Sequence, residues 1–287
     1  MRSLILAIGL FVATRPLVSQ TRGIVEGRSN LYYESLGSGP ETIVVVHGGP
    51  GFAHDYMRPE WDRLAASGRV IYYDQNGCGQ SGRVAPYGWR SHVEDLDRLL
   101  GVVAAEKRVV LAGSSWGSML ALYYTYLHPE HVRALILSGV PLGTVAAGPR
   151  SSAARLQQQP KTRLDSIDRG LPAGKGNPRP VMESRLQQRI KEDCSDVAAI
   201  INMSLRDAPR SRELETIVVP VLVVHGSNPE QMSGDGGPGL VELLPNAILV
   251  TISDAGHDPW LDQPELFFAA ANSFLARLPG APHERPR

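Results

Sequence analysis

The sequence predicts an α/β fold: a mostly parallel sheet flanked by helices, with a helical cap inserted into it. Three observations carry that expectation. Short β-branched or aliphatic runs recur at 43–46, 70–73, 109–112, 134–137, 219–224 and 248–252. They do not alternate apolar with polar residues, which is the pattern of strands buried on both faces of a parallel sheet. Amphipathic stretches at 92–103, 119–127 and 265–278 fall among them, so strand and helix units alternate. Finally, residues 141–215 break this rhythm over a length that no connecting loop in a compact domain needs.

Taken in order, the first twenty residues stand apart. Arg2 precedes an apolar run at 4–12, the length of a secretory core and too short to span a bilayer, and Ser19 offers a cleavage point. Residues 1–20 are expected to be a signal peptide. The mature chain is then exported, periplasmic or secreted, with no stable membrane span after processing. Residues 23–36 read as a leading hairpin, with Gly27 and Asn30 near its turn. The core is expected over 21–140 and 216–279, the cap over 141–215, and a polar, proline-rich tail over 280–287. Apolar clusters at 181–190 and 197–205 suggest helices within the cap.

A chain of 287 residues, 43% hydrophobic, can bury one sizeable core. Its 29 basic residues balance 29 acidic ones and no long basic block occurs, so the electrostatic footprint of a nucleic-acid binder is missing. No Cys/His spacing suits a metal. The glycine pattern at 77–82 lies between a strand and a helix with a spacing that does not fit a dinucleotide, so no cofactor is implied. Oligomeric state is not legible at this level.

The chemistry is expected at Gly113-Ser114-Ser115-Trp116-Gly117, which follows the run at 109–112 and opens a helical pattern. A nucleophile on so tight a strand-to-helix turn needs small neighbours, and it sits at a helix N-terminus that favours developing negative charge. Ser115 is the candidate nucleophile. A tetrahedral intermediate needs two backbone N–H donors. They are expected from Trp116, the residue after the nucleophile, and from Gly49 in the loop His47-Gly48-Gly49-Pro50-Gly51. His47 itself is read as structural.

The loop HGGPG, the run DQNGCGQSG at 74–82 and the run GSSWGSMLALYY at 113–124 resemble, in order and spacing, the prolyl iminopeptidase group of α/β-hydrolases. The likeness extends over about residues 24–140 and 216–278. It implies the α/β-hydrolase fold and a serine hydrolase working through an acyl-enzyme on small-molecule or short-peptide substrates, as an aminopeptidase. The group usually reads Asp-Gln-Arg-Gly-x-Gly in the middle run. Asn76 replaces the arginine here and removes a charge that would tie the loop to carboxylates. Cys78 is read as a packed free thiol, and whether it pairs with Cys194 is left open.

The resemblance also places a base after the last strand, at His257 in Asp254-Ala255-Gly256-His257-Asp258. The usual place of the acid, three residues beyond Gly226, holds Pro229. Glu230, one residue later and one methylene longer, is the first candidate. Asp235 is the second, in a loop with Gly234, Gly236 and Gly237, and a displaced acid or degraded triad is the third. Asp254 and Asp258 lie too near His257 in sequence to be favoured.

The cap carries thirteen Arg or Lys against nine Asp or Glu, and no Phe, Tyr or Trp. A pocket for a proline ring is usually lined by aromatics, so prolyl specificity does not follow from this cap. An aminopeptidase-like hydrolase, an esterase or lactonase, and a non-catalytic binding member of the fold are the three readings. An aspartate nucleophile, as epoxide and haloalkane hydrolases of this fold need, is excluded by Ser115.

Overall fold

The computed structural model describes residues 20–105, 107–141, 194–228 and 236–280. The aliphatic runs pair into one eight-stranded sheet of order β1-β2-β4-β3-β5-β6-β7-β8. Strands β1 (Gln20–Val25) and β2 (Leu31–Leu36) form the leading antiparallel hairpin, Val25 facing Leu31. β2 runs antiparallel to β4 (Gly68–Tyr73). From there β3 (Glu41–Val46), β5 (Val109–Ser114), β6 (Val132–Ser138), β7 (Val221–Gly226) and β8 (Ala247–Ile252) are all parallel.

Side chains alternate across this sheet, yet both faces are apolar. Val44 and Val46 join a core with helices α1 (Trp89–Val103) and α2 (Trp116–Leu127), while Ile43 and Val45 face a second core. The second core contains Trp61, Trp260, Phe267 and Phe268, all buried. Each such side chain contributes about 1.5–3 kcal/mol on burial. Two covered faces are the reason the strands read as unbroken apolar runs.

Helix α3 (Ser195–Ser204) occupies the second cap cluster, and α4 (Ser211–Leu214), α5 (Gly237–Leu243), α6 (Pro259–Asp262) and α7 (Pro264–Ala276) follow. The cap helix expected at 181–190, residues 1–19 of the expected signal peptide and the tail beyond 280 lie outside the described residues, while Gln20 already opens β1. Strand β7 begins two residues later than the run at 219–224 suggests. Pro220 has no N–H for a ladder, and only its carbonyl is used, by the Leu135 N–H at 2.9 Å. No helix among the described residues is long and apolar enough to cross a membrane.

One expectation is corrected. Cys78 is not a free thiol: it is bonded to Cys194, with Cα atoms 5.9 Å apart and 116 residues between them in sequence. The start of α3 folds back over the 74–82 turn and brings them together, a long-range contact that no local pattern reports.

Candidate active site

The parallel registers align the strand ends that matter. Val46 pairs with Gly113, Ser114 with Ser138, and Gly226 with Ile252, so the residues following each of them gather along the carboxyl edge of the sheet. Open α/β sheets bind their ligands at this edge.

Ser115 sits there with φ 54° and ψ −121°, between β5 and α2. A non-glycine residue at positive φ is strained. The strain is held by a 2.8 Å hydrogen bond from the Ser115 N–H to the Ser138 carbonyl and by Ser118, whose N–H donates to the Ser115 carbonyl at 2.9 Å. The flanking glycines are required by close approach. A β-carbon on Gly113 would stand 2.6 Å from the backbone of Gly117, and one on Gly117 would overlap the Val46 carbonyl oxygen.

The loop after β3 reaches the same point: a β-carbon on Gly48 would lie 3.2 Å from the Ser115 β-carbon. Its own N–H is already used, donating to the buried Tyr56 hydroxyl at 2.8 Å. Gly49 has φ 115°, which only glycine adopts without penalty, and no described acceptor engages its N–H. Trp116 opens α2, so its N–H has no intrahelical acceptor. Gly49 and Trp116 thus each carry a backbone N–H with no acceptor among the described residues.

His47 is a support. Its Nε2 accepts from the Gln75 N–H at 3.0 Å, which leaves the proton on Nδ1, 3.0 Å from the Gly48 carbonyl. Gln75 is a residue that sequence reasoning passed over, although it lies in the quoted 74–82 run. Its side chain donates to the His47 carbonyl at 2.8 Å and accepts from the Trp116 indole at 2.7 Å, joining the two donor segments. Asn76 exchanges hydrogen bonds with the backbone of Val84 at 2.8 and 3.1 Å. It closes the turn without a charge.

His257 lies in the loop between β8 and α6, half-buried. Gly139 makes room for it: at φ 57°, a β-carbon there would stand 3.2 Å from His257 Nε2 and 2.6 Å from the His257 carbonyl oxygen. Gly139 directly follows Ser138, whose carbonyl holds Ser115, so the imidazole edge and the serine share one neighbour. They are not hydrogen-bonded to each other in this structure, as is common before substrate binds. The loop is pinned by the Gly256 N–H, which donates to Asp262 at 2.6 Å. Burial, with Asp258 nearby, raises the Asp262 carboxyl to about 6.

His257 Nδ1 is buried and has no hydrogen-bond partner among the described residues. Asp258 accepts from Ser114 at 3.3 Å and from the Trp260 indole at 3.1 Å, and Asp254 is exposed at φ 55°. Both acid candidates, Glu230 and Asp235, lie outside the described residues. Gly139, Tyr56 and Asp262 were not singled out in the sequence, since a glycine after a strand or a lone tyrosine carries no signal without its spatial partner.

Among the described residues one group of metal-type ligands occurs, Asp97, His128 and His131, with ligand atoms within 4.8 Å of one another. It stands at the far end of α2 from Ser115, about 18 Å of helix away. Tyr124 hydrogen-bonds both Asp97, at 2.8 Å, and His131, at 2.9 Å.

Buried histidines near the site make the fold acid-sensitive. Burial pushes His47 down to about 4 and His92, whose ring edges onto Trp116 at 6.2 Å, down to about 3. Both stay neutral when folded but protonate near 6.5 once unfolded. Their contribution is thus complete above pH 6.5 and is lost as pH falls toward 4, at up to about 1.4 kcal/mol per pH unit for each. Asp262, raised above its unfolded value, acts in the opposite direction over the same window. His92→Phe is expected to flatten the fall of Tm between pH 6.5 and 4. An unchanged slope in thermal melts would contradict the assignment.

Residues 43–271, well over half of the chain, match the family model described as the alpha/beta hydrolase family. The chain is 38% identical over 129 residues to a proline iminopeptidase of Lactobacillus helveticus, covering 40% of this chain and 43% of that protein. It is 32% identical over 151 residues to a proline iminopeptidase of Clostridium botulinum, covering 50% of each. The matches span half or less of the length of these relatives. Among solved structures, a thermophilic esterase from Thermogutta terrifontis superposes with TM-score 0.69 at 21% identity, over 90% of this chain and 99% of that one. An N-acyl homoserine lactone degrading enzyme does so with TM-score 0.65 at 21% identity, over 88% and 100%. At that identity the superpositions speak for the fold. The family model and the shared architecture agree, and this chain belongs to the alpha/beta hydrolase family.

Proposed function

We propose that this chain is a serine hydrolase that cleaves small ester or amide substrates through an acyl-enzyme. Ser115 is the nucleophile and His257 takes its proton. The Gly49 and Trp116 N–H groups receive the oxyanion, and His257 returns the proton to the leaving group before water attacks the ester. The observation that carries this reading is the strained Ser115 at φ 54° with the Gly48 loop packed against its side chain. A binding protein has no use for that strain. A fluorophosphonate probe tests it without knowledge of the substrate: labelling confined to Ser115 is expected, and a protein inert to the probe would return the non-catalytic reading.

Similarity to proline iminopeptidases suggests an aminopeptidase, but the cap favours a broader ester substrate. It has no aromatic residue for a proline ring, and its basic residues outnumber the acidic ones, Glu183 and Glu192 among them, that a free amine would need. A missing apolar contact is worth only about 1–3 kcal/mol, so discrimination for proline is expected to be poor. Short-acyl p-nitrophenyl esters should therefore be hydrolysed faster than prolyl-p-nitroanilide. An exclusive preference for the prolyl substrate would restore the aminopeptidase reading.

A further inference from the structure

The oxyanion loop is held from outside at both ends. At its start, Gln75 grips His47 through two hydrogen bonds of 3.0 and 2.8 Å. At its end, the Cys194 N–H donates to the Gly51 carbonyl at 3.1 Å. A β-carbon on Gly51 would lie 3.0 Å from the Cys194 carbonyl oxygen and 3.2 Å from the Ala198 β-carbon. These two holders are themselves joined. Cys78 belongs to the same turn as Gln75, to whose carbonyl its N–H donates at 3.1 Å, and Cys78 is bonded to Cys194. Gly49 thus lies inside a closed circuit: His47, Gln75, Cys78, Cys194, Gly51.

The other ties that keep α3 on the body are weaker or farther away. Arg83 and Asp196 form a two-pronged ion pair at 3.0 and 2.8 Å, but both side chains are at least half exposed and solvent screens them. Val197 packs on Gly77, and Ser204 takes the Trp89 N–H at 2.9 Å at the far end of the helix. Among the described residues the disulfide is the covalent tie at Cys194, whose own N–H holds the Gly51 carbonyl.

We propose that the Cys78–Cys194 disulfide is a positioning element of the reaction, holding Gly51 and hence the Gly49 donor in register with Ser115. The proposal rests on the serine-hydrolase reading. A donor aimed at the oxyanion acts in the transition state and little in the bound ground state. Loosening it by about 1 Å is of the order of 10²-fold in rate. Opening the bridge should therefore lower kcat and leave KM nearly in place. The reductant is a dithiol. It supplies two electrons and two protons, releases the Cys78 and Cys194 thiols, and itself closes to a cyclic disulfide.

The experiment compares the full chain in its oxidised state, the same chain under dithiothreitol, and the Cys78→Ser/Cys194→Ser variant. Each is assayed for kcat and KM on p-nitrophenyl acetate, for the rate of fluorophosphonate labelling, and for fold by near-UV circular dichroism. Reduction and the double substitution are expected to lower kcat and labelling by about 10- to 10²-fold while KM moves less than about twofold. Reoxidation should restore the wild type, and dithiol should not affect the variant. Reduced wild type with unchanged kcat would overturn the proposal, as would a loss of activity that tracks a loss of the folded signal. If the variant does not fold, the reversible reduction of the wild type decides alone. An oxidised chain that neither hydrolyses the ester nor takes the probe would remove the serine-hydrolase reading and this one with it. An oxidised chain active by both measures, with a reduced chain equally active, removes only the disulfide's role.

Discussion

Ser115→Ala is expected to lower kcat on an activated ester by at least about 10³-fold while the protein stays folded. The loss comes from the nucleophile itself, since no other described hydroxyl shares its position between the Gly48 loop and the Gly139 edge of His257. The fold should survive because alanine carries the same β-carbon as serine, so the cost of φ 54° is unchanged. The hydrogen bonds that hold the turn run through the Ser115 backbone, to Ser138 and from Ser118. Residual hydrolysis above water is expected from the two N–H donors. The measurement is turnover of a short-acyl p-nitrophenyl ester beside a near-UV spectrum, and a folded mutant with wild-type turnover would sink the assignment.

The second large effect is expected at the acid. A triad carboxylate fixes the imidazole tautomer and stabilises the imidazolium, and its loss costs about 10⁴-fold in kcat. Among described groups the nearby carboxylates are committed elsewhere: Asp258 to Ser114 and Trp260, Asp262 to the Gly256 N–H. His257 Nδ1, the nitrogen away from the Gly139 edge, is buried without a described partner. We therefore expect Glu230→Gln to damage turnover far more than Asp235→Asn. A crystal structure of an acyl-enzyme should place a Glu230 oxygen within about 3.2 Å of that nitrogen. Equal activity of Glu230→Gln and wild type would move the role to Asp235, or show that the histidine works without an acid.

Legibility followed the range of the interaction. The aliphatic runs announced six of the eight strands to within a few residues, and the 23–36 hairpin supplied the other two. The strained turn at Ser115 and the glycine loop beside it were readable because both are short, and the turn's glycines are forced by local collisions at Gly113 and Gly117. His257 was singled out from chain order. By contrast, Gln75 needed the fold: its side chain bonds to residues 28 and 41 positions away, and only packing reveals which.

What the sequence by itself determined is therefore the parallel sheet, the strained serine turn and the glycine loop beside it, because each is written in neighbouring residues through propensity and steric exclusion. The tertiary structure alone decided three things. Cys78 meets Cys194 rather than staying a free thiol, Gln75 ties the His47 loop to the Trp116 indole, and Gly139 is the space into which His257 fits. Each depends on where a distant segment comes to rest. That is set by the summed burial of two cores on either side of the sheet, a sum no local stretch of sequence contains.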